Sequence, residues 1–488
     1  MTSKNNDFKR DIYYDVQAAL NDKHVVFLLG PRKCGKTVCL SQLNKSIDNS
    51  IFVDFKNMSD DDSCNWVKKI VMSIESGEDI TYLLDEVTNM YHPEEEISKI
   101  ALAYSNAIAK GMKGNINTKV VFTGSQSIAL KAWGLRAFCN QAKFVNSDFL
   151  NYAEWLRYKD INEISVGTFK SFISGTKEFY DFDSLRDYLE GCLEETVTSN
   201  EKSKNLIVGN ESSLLDVDGL LNVLYATLFS LHDRSSSSTF FKNDSIEKRI
   251  NYLIKSNSII TSFPQEELKI KIAESFIAKY NSIKTMDIDT IKQALVFLYK
   301  SDLITLTPVF DNFETSMNVC KALLNDDEKL SNKDKLFRLL NINIKYPMFY
   351  MEILKDVLGS DYSIDMPNSI IGGVVECYVR GLLPDSYSFE FYDYATGDEI
   401  DYVSLENMCG IEISTTDKDK KQLHFHRLPE GYKKILLTGG IKNNIETLIK
   451  IPYYEYIYNL CVEKENIIPL VEENIIKEKS TKLKKDDL

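Results

Sequence analysis

The feature that most constrains the fold of this chain is a glycine-rich loop that directly follows an apolar run. The run covers residues 25–29, and the loop after it reads Gly30-Pro31-Arg32-Lys33-Cys34-Gly35-Lys36-Thr37. This is the pattern GxxxxGK[ST], which places a phosphate-binding loop between a buried strand and a helix. The alternative interpretation, a simple Gly/Lys-rich turn, does not require a strand ahead of it. We therefore predict an α/β fold built on a parallel sheet.

Each residue type in this loop has a chemical role in phosphate binding. The glycines let backbone N–H groups surround phosphate oxygens, Lys36 reaches the β- and γ-phosphates, and the Thr37 hydroxyl ligates magnesium. The residues that follow continue as a helix whose positive end faces the anion. We therefore predict a site for ATP and Mg²⁺ in which the nucleotide contacts Gly30, Pro31, Arg32, Lys33, Cys34, Gly35, Lys36, Thr37 and Val38.

The bulk composition is that of an ordinary soluble protein. The chain has 488 residues, too many for a single core, with 43% hydrophobic and 27% charged residues. No apolar run approaches the roughly 20 residues that span a bilayer, and the first residues lack the apolar region of a signal peptide. The expected location is therefore the cytoplasm, with no membrane partner.

The net charge and the distribution of cysteines disfavour several kinds of binding site and cross-link. A net charge of -14 argues against a broad nucleic-acid-binding surface but leaves a local basic patch open. The 9 cysteines and 5 histidines are scattered, without CxxC pairs. We therefore expect neither a zinc site nor a disulfide framework.

Residues 24–147 alternate apolar runs with helical stretches, the pattern of a parallel sheet covered by helices. The predicted strands are His24–Leu29, Ser50–Phe55, Ile80–Leu84, Lys119–Thr123 and Ala142–Asn146. The predicted helices begin at Lys36, Asn65, Glu94 and Ser127.

The periodicity changes along the chain and predicts several domains. A P-loop core is expected over 1–155, a helical lid and winged-helix-like region over 156–345, an α/β domain over 346–470 and a charged tail over 471–488. A polar loop at 233–238 interrupts the middle region. Two segments there, Ser245–Thr261 and Asp287–Pro308, read as a helix followed by a short β run.

A second motif of the core ends the run Ile80-Thr81-Tyr82-Leu83-Leu84 with two carboxylates, Asp85 and Glu86. In a Walker B element, Asp85 would hold magnesium through water opposite Thr37, and Glu86 would act as general base on the attacking water. On its own, an Asp-Glu pair at a strand end more often begins a solvated helix. The loop upstream favours the catalytic interpretation.

Two further residues are candidates for the catalytic machinery. Ser125, after the strand that ends at Thr123, is positioned to read the γ-phosphate or to cap the next helix. Arg136 is the candidate for a cation that stabilises the transition state, and the alternative is an ordinary surface arginine. If Arg136 acts on a neighbouring subunit, the protein must form a homo-oligomer.

These motifs resemble those of bacterial and archaeal AAA-type ATPases whose core is followed by a poorly characterised C-terminal region. The resemblance rests on Leu29–Thr37, Tyr82–Glu86, Phe122–Ser127, Gly134–Arg136 and Phe149–Leu156, and later on Lys345–Met351 and Ile371–Val379. It implies ATP hydrolysis at the predicted site. Leu135 separates the glycine and arginine that are adjacent in the family, and the middle helices do not align.

The C-terminal region carries a second group of carboxylates. Glu376 lies on a predicted helix, and Asp401 and Glu412 lie on two predicted strands. The arrangement resembles the PD-(D/E)xK nuclease fold, also called restriction-endonuclease-like, in which such carboxylates hold magnesium. Ser414 stands where that motif has a lysine, and an ammonium would have to come from Lys418, Lys420 or Lys421. The alternative is a set of edge carboxylates that face water.

The sequence thus predicts an AAA-type ATPase that hydrolyses ATP with Mg²⁺ to drive a conformational switch, fused to a degenerate nuclease-like domain. The alternative is a slow-turnover signalling or DNA-binding regulatory ATPase without nuclease activity. The client would be a nucleic acid or a partner protein. The helix over 288–298 carries only Lys292 as a basic residue, which disfavours DNA reading by a winged helix.

Overall fold

The computed structural model describes residues 8–110, 116–180, 182–198, 215–230, 245–256, 258–261, 263, 265–310, 340–358, 368–383, 388–393, 395–415, 423–440 and 448–463. These residues belong to two compact units. The first lies within Met1–Glu154, Thr176–Val217 and Val296–Asp302, and the second within Trp155–Gly175, Asp218–Leu295 and Leu303–Leu488.

The first unit contains a five-stranded sheet in the order β2-β3-β4-β1-β5, in which every pair of neighbours is parallel. Its strands are β1 (Val25–Leu29), β2 (Ser50–Asp54), β3 (Thr81–Asp85), β4 (Lys119–Thr123) and β5 (Ala142–Asn146). The helices of this part are α1 (Asp11–Asp22), α2 (Lys36–Ser46), α3 (Asp60–Ser76), α4 (Pro93–Ala109) and α5 (Ser127–Phe138).

Helices cover both faces of this sheet because alternate residues of each strand point to opposite sides. Val25 and Phe27 of β1 belong to the cluster that contains α3, α4 and α5 residues. Val26 and Leu28 belong to the cluster formed with α1 and α2. The predicted α/β core with a parallel sheet is therefore confirmed, and each predicted strand agrees with the observed one to within one residue at each end.

The start of α3 differs from the sequence prediction. The helix begins at Asp60 rather than Asn65, because the Ser59 side chain accepts a hydrogen bond from the Asp62 N–H and so caps the first turn. Three aspartates in that turn complement the positive end of the helix. Apolar periodicity, on which the prediction rested, does not register a polar first turn.

The middle of the chain is mainly helical where it is described. Its helices are α6 (Tyr152–Lys159), α7 (Val166–Gly175), α8 (Leu185–Thr198), α9 (Val217–Ser230), α10 (Ile246–Ser256), α11 (Ser258–Thr261), α12 (Glu266–Thr285) and α13 (Ile288–Lys300). A 3₁₀ helix spans Thr176–Phe179. Nowhere in the described chain does a helix combine the length and apolar character needed to cross a membrane.

The second unit contains a seven-stranded mixed sheet in the order β12-β11-β10-β9-β8-β6-β7. Its strands are β6 (Ile304–Phe310), β7 (Leu340–Ile344), β8 (Ser388–Tyr392), β9 (Glu399–Ser404), β10 (Cys409–Ile413), β11 (Lys433–Thr438) and β12 (Leu448–Pro452). The remaining helices are α14 (Pro347–Leu358), α15 (Asn368–Leu382) and α16 (Tyr453–Val462).

The two predicted helix-plus-strand segments differ from a winged helix. The run Ser258–Thr261 is helical, not extended. The strand β6 follows α13 as expected, but it pairs antiparallel with β7 and parallel with β8 and is buried along its whole length. It therefore belongs to the large sheet. The predicted polar loop at 233–238, the charged tail and Lys418, Lys420 and Lys421 lie outside the described residues.

Candidate functional site

The phosphate-binding loop leaves the carboxyl end of β1, where ligands bind in parallel sheets. Gly35 is the N-cap of α2 with φ 102°, and Gly30 has φ 147°. A Cβ atom on Gly30 would lie 2.0 Å from the Ser147 carbonyl oxygen. Glycine is thus required at position 30 by the close approach of two backbone segments.

Lys36 lies inside its own loop. The Lys36 Nζ donates hydrogen bonds to the carbonyl oxygens of Gly30, at 2.9 Å, and Pro31, at 2.7 Å. The residue is only 7% exposed. The ammonium group therefore lies within the curve of the loop, where backbone carbonyls satisfy it.

Ser127 ties the first residue of the loop to α5. Its hydroxyl accepts a hydrogen bond from the Gly30 N–H at 2.7 Å and donates one to the Gly30 carbonyl oxygen at 2.6 Å. The N-cap of α5 is Gln126 and no side chain caps that helix, so the cap role considered for Ser125 is not observed. The contact spans 97 residues of sequence, so no local pattern predicts it.

The carboxylate predicted to hold magnesium lies next to its partner in the loop. Asp85 ends β3, is 2% exposed, and its carboxylate forms a side-chain hydrogen bond with Thr37. Burial raises the pKa of Asp85, the nearby Glu86 charge adds to this effect, and the Thr37 hydrogen bond opposes it. A divalent cation at this position would relieve that buried charge, so these two residues fit a magnesium site.

Glu86 and Ser125 are brought together at the ends of neighbouring strands. Glu86 has φ 51° and ψ 40°, a left-handed conformation that is uncommon for a non-glycine residue. Its Oε2 accepts a hydrogen bond from the Ser125 N–H at 3.1 Å. The predicted general base and the predicted γ-phosphate reader are therefore in direct contact through the Ser125 backbone.

Arg136 lies in the last turn of α5 and is 60% exposed in its side chain. Its Nη1 forms an ion pair with Glu94 Oε1 at 2.7 Å. This geometry is that of a surface ion pair, which contributes little to stability. The role of Arg136 in catalysis stays a prediction.

A pocket that is partly open to solvent lies beside the phosphate loop. Loop residues Lys33, Cys34 and Gly35 form part of its wall. The rest is mainly apolar or aromatic and includes Phe8, Ile12, Val38, Phe179 and Tyr180. Phe8 and Phe179 meet edge to face with ring centroids 6.5 Å apart. Flat apolar walls next to a phosphate site are suited to a nucleoside ring.

The second predicted site, in the C-terminal unit, is organised by an arginine that the sequence analysis missed. Arg380 of α15 is 1% exposed in its side chain. Its guanidinium is 2.6 Å from Glu390 Oε2, 3.0 Å from Glu376 Oε1 and 3.9 Å from Asp401 Oδ1. Asn341 donates a further hydrogen bond to Glu390 at 2.6 Å.

This arginine changes the chemistry expected of Glu376, Asp401 and Glu412. Two of these carboxylates face a fixed positive charge, and Asp401 Oδ2 also accepts the Ile413 N–H at 2.6 Å. No group of three or more His, Cys, Asp or Glu side chains placed to hold a metal ion occurs in the described part of the chain. Glu376 and Asp401 therefore do not fit the predicted magnesium site, because the guanidinium beside them repels a cation.

Part of the first unit matches a known protein family, and the matched part contains the candidate site. Residues 22–138 match the family model described as an AAA domain. The matched segment runs from the end of α1 through α5 and includes the phosphate loop, Asp85, Glu86 and Ser125. This part of the first unit is thus similar to an AAA domain, in agreement with the motifs.

Several solved structures are similar to larger parts of the chain, although each similarity is low. A Walker-type ATPase of Pyrococcus abyssi is 13% identical with a TM-score of 0.32, over 71% of this chain and 96% of that one. The replication initiator DnaA, bound to AMPPCP and single-stranded DNA, is 10% identical with a TM-score of 0.25, over 66% and 93%. A DNA replication initiation factor is 12% identical with a TM-score of 0.22, over 69% and 94%. No curated protein matches the chain.

Proposed function

We propose that the first unit binds ATP with Mg²⁺ and hydrolyses it to ADP and phosphate. The observation that carries this proposal is the meeting of the phosphate loop with the Walker B carboxylates, seen in the hydrogen bond between Thr37 and Asp85. Lys36, Glu86 and Ser125 lie on the same edge of the sheet. The AAA-domain match over 22–138 gives the proposal independent support.

Each residue of the site has a separate role in the proposed hydrolysis. Lys36 exchanges its bonds to loop carbonyls for bonds to the β- and γ-phosphates. Thr37 and Asp85 hold Mg²⁺, which neutralises phosphate charge when bound. Glu86 orients the attacking water and accepts its proton. The pocket lined by Phe8 and Phe179 takes the adenine ring.

Substitution of Lys36 tests this function. We expect Lys36→Ala to abolish ATP hydrolysis, because the substitution removes the ammonium that contacts the β- and γ-phosphates. Phosphate release is measured at saturating Mg²⁺ and ATP. Lys45→Ala, at an exposed position near the end of the same helix, is the control and should match the wild type. Normal turnover by Lys36→Ala would refute the ATPase assignment.

A slow-turnover switch is the second candidate function. It is favoured by the hydrogen bond from the Ser125 N–H to Glu86 Oε2 at 3.1 Å. A carboxylate oxygen engaged by an amide is less available to activate water, so hydrolysis would wait for a partner that frees it. The client would be a nucleic acid or a protein, and turnover compared with and without DNA, RNA and candidate proteins would identify which one stimulates.

A homo-oligomer is required if Arg136 completes the site of a neighbouring subunit. Its side chain is exposed and within reach of solvent, which suits a residue that acts between copies. Arg136→Ala would then reduce hydrolysis with little effect on ATP affinity. Unchanged hydrolysis in that variant would remove Arg136 from the mechanism.

A further inference from the structure

Arg10 contacts the phosphate loop from the segment that precedes α1. Its Nη1 donates a hydrogen bond of 2.6 Å to the carbonyl oxygen of Cys34. The side chain is 11% exposed. No motif of the sequence points to this residue, which lies 24 positions before the loop residue that it contacts.

The other side of the guanidinium is fixed by Glu154. Arg10 Nη2 lies 2.7 Å from Glu154 Oε2, and Arg10 Nε donates to both carboxylate oxygens at 3.2 Å. Glu154 is 1% exposed and also accepts the N–H groups of Asp11, at 2.8 Å, and Asn151, at 3.2 Å. Burial alone would raise the pKa of this carboxyl, but the charge and hydrogen bonds of Arg10 outweigh it, and the pKa is lowered.

The bonded carbonyl controls the direction of a phosphate-binding donor. The Cys34 carbonyl and the Gly35 N–H belong to one planar trans peptide, in which the C=O and N–H bonds point in opposite directions. Gly35 lacks a side chain and has φ 102°, so this peptide would otherwise rotate easily. A fixed carbonyl therefore fixes the Gly35 N–H, the N-cap donor at the start of α2.

We propose that Arg10 is a positioning residue of the nucleotide site: anchored by Glu154, it orients the Cys34–Gly35 peptide so that the Gly35 N–H faces the bound phosphates. This inference rests on the proposed ATP binding. An arginine is needed because its planar fork bonds the carboxylate and the loop carbonyl at once. A lysine carries all its donors on one nitrogen, so it cannot span the Glu154 carboxylate and the Cys34 carbonyl with the same forked geometry. An N–H group that already points toward the phosphate site does not have to reorient when the phosphates bind, so no free energy is spent on that step.

The test compares ATP affinity with stability in three variants. Arg10→Lys keeps the charge, Glu154→Gln removes the anchor without touching the loop, and the third combines both. At a temperature where circular dichroism shows each protein folded, calorimetric titration should give an ATP Kd raised about tenfold in each single variant. The double variant should bind no more weakly than the weaker single one, because the two residues act as a unit.

Tyr104→Phe provides the matched control. It removes a buried hydrogen bond of 2.9 Å to the Thr118 carbonyl oxygen in the same unit, so it lowers stability without altering the loop. Its ATP Kd should stay within about twofold of wild type.

If Arg10→Lys and Glu154→Gln lower the melting temperature but keep wild-type affinity for ATP, Arg10 is only structural and the inference fails. Should Glu154→Gln not fold, Glu154→Asp replaces it. Absence of ATP binding by the wild type would instead refute the proposed function.

Discussion

At the scale of single residues, the candidate site is held together by side chains that satisfy backbone groups of the loop. Lys36 and Ser127 both bond the Gly30 carbonyl oxygen, and Arg10 bonds that of Cys34. Peptide carbonyls held in this way leave the N–H groups of the loop in fixed directions. Under the proposed function, Ser127 and Arg10 keep the loop backbone in place while Lys36 alone exchanges its bonds, which reduces the cost of binding.

The role of Glu86 as general base can be separated from binding. We expect Glu86→Gln to lower the turnover number for ATP by at least about a hundredfold, because the amide cannot accept the proton of the water. ATP affinity should persist, since the glutamine oxygen still accepts the Ser125 N–H. Turnover and Kd are measured on the same preparation. Glu95→Gln, on the exposed side of α4, is the control, and equal turnover in Glu86→Gln and wild type would exclude the base role.

The Arg10–Glu154 pair predicts a dependence of stability on pH. The pKa of Glu154 in the folded protein is below its ordinary value of 4.5. Its contribution to the free energy of unfolding is therefore fully present above pH 4.5 and is lost as pH falls below that value toward the folded pKa.

Urea unfolding of wild type and Glu154→Gln at several pH values tests this dependence. Above pH 4.5 the variant should be less stable by about 3–5 kcal/mol, because it leaves a buried guanidinium without its carboxylate. The difference should shrink on acidification. If the difference in unfolding free energy between wild type and Glu154→Gln stays constant as the pH is lowered well below 4.5, the lowered pKa of Glu154 is contradicted.

At the scale of elements, the position of the loop depends on how α5 packs on β1. A Cβ on Gly134 of α5 would lie 2.8 Å from the Phe27 ring of β1. That ring stacks with Phe122 and Phe144 at centroid distances of 4.8 and 5.2 Å. The close approach of helix and strand brings Ser127, at the start of α5, to Gly30 at the end of β1.

This packing predicts a strong effect of bulk at position 134. We expect Gly134→Val to lower the free energy of unfolding by about 1–3 kcal/mol, because the aromatic stack must move to admit the side chain. The measurement is urea denaturation followed by circular dichroism. Lys131→Val, at an exposed position on the same helix, introduces the same side chain without the clash, and valine is a weaker helix former than lysine but a better one than glycine. An equal decrease in the free energy of unfolding in both variants would mean that position 134 is not tightly packed against the Phe27 ring.

At the scale of the whole molecule, the two units differ in what their polar residues can do. The first unit gathers a lysine, a threonine and two carboxylates on one sheet edge. The second surrounds the buried Arg380 with Glu376, Glu390 and Asp401. Two of the three carboxylates predicted to hold a metal, Glu376 and Asp401, lie against this arginine instead.

A cleavage assay with plasmid DNA tests this difference. We expect no Mg²⁺-dependent nicking by the wild type, because the Arg380 guanidinium already pairs with two of the predicted metal ligands. Asp401→Ala controls for contaminating nucleases, since any cutting that survives it does not come from this site. Cutting by the wild type that disappears in Asp401→Ala would restore the nuclease interpretation.

Much of the first unit could be predicted from the sequence because its signals are local. Strand runs, the loop pattern and the carboxylates after β3 each occupy a few consecutive residues. The start of α3 and the nature of β6 were misread for physical reasons. Ser59 caps a polar first turn that periodicity ignores, and β6 pairs with strands from other parts of the sequence.

The sequence by itself determined the strand–loop–helix unit and the identity of the residues at the ends of β1 and β3, since short-range sterics and loop chemistry specify both. Only the tertiary structure decided which groups meet. Arg10 bonds to Glu154 across 144 residues of sequence, and Ser127 bonds to Gly30 across 97 residues. Arg380 likewise turns three carboxylates into an ion-pair cluster. Packing selects such partners from the whole chain, and no local pattern encodes that choice.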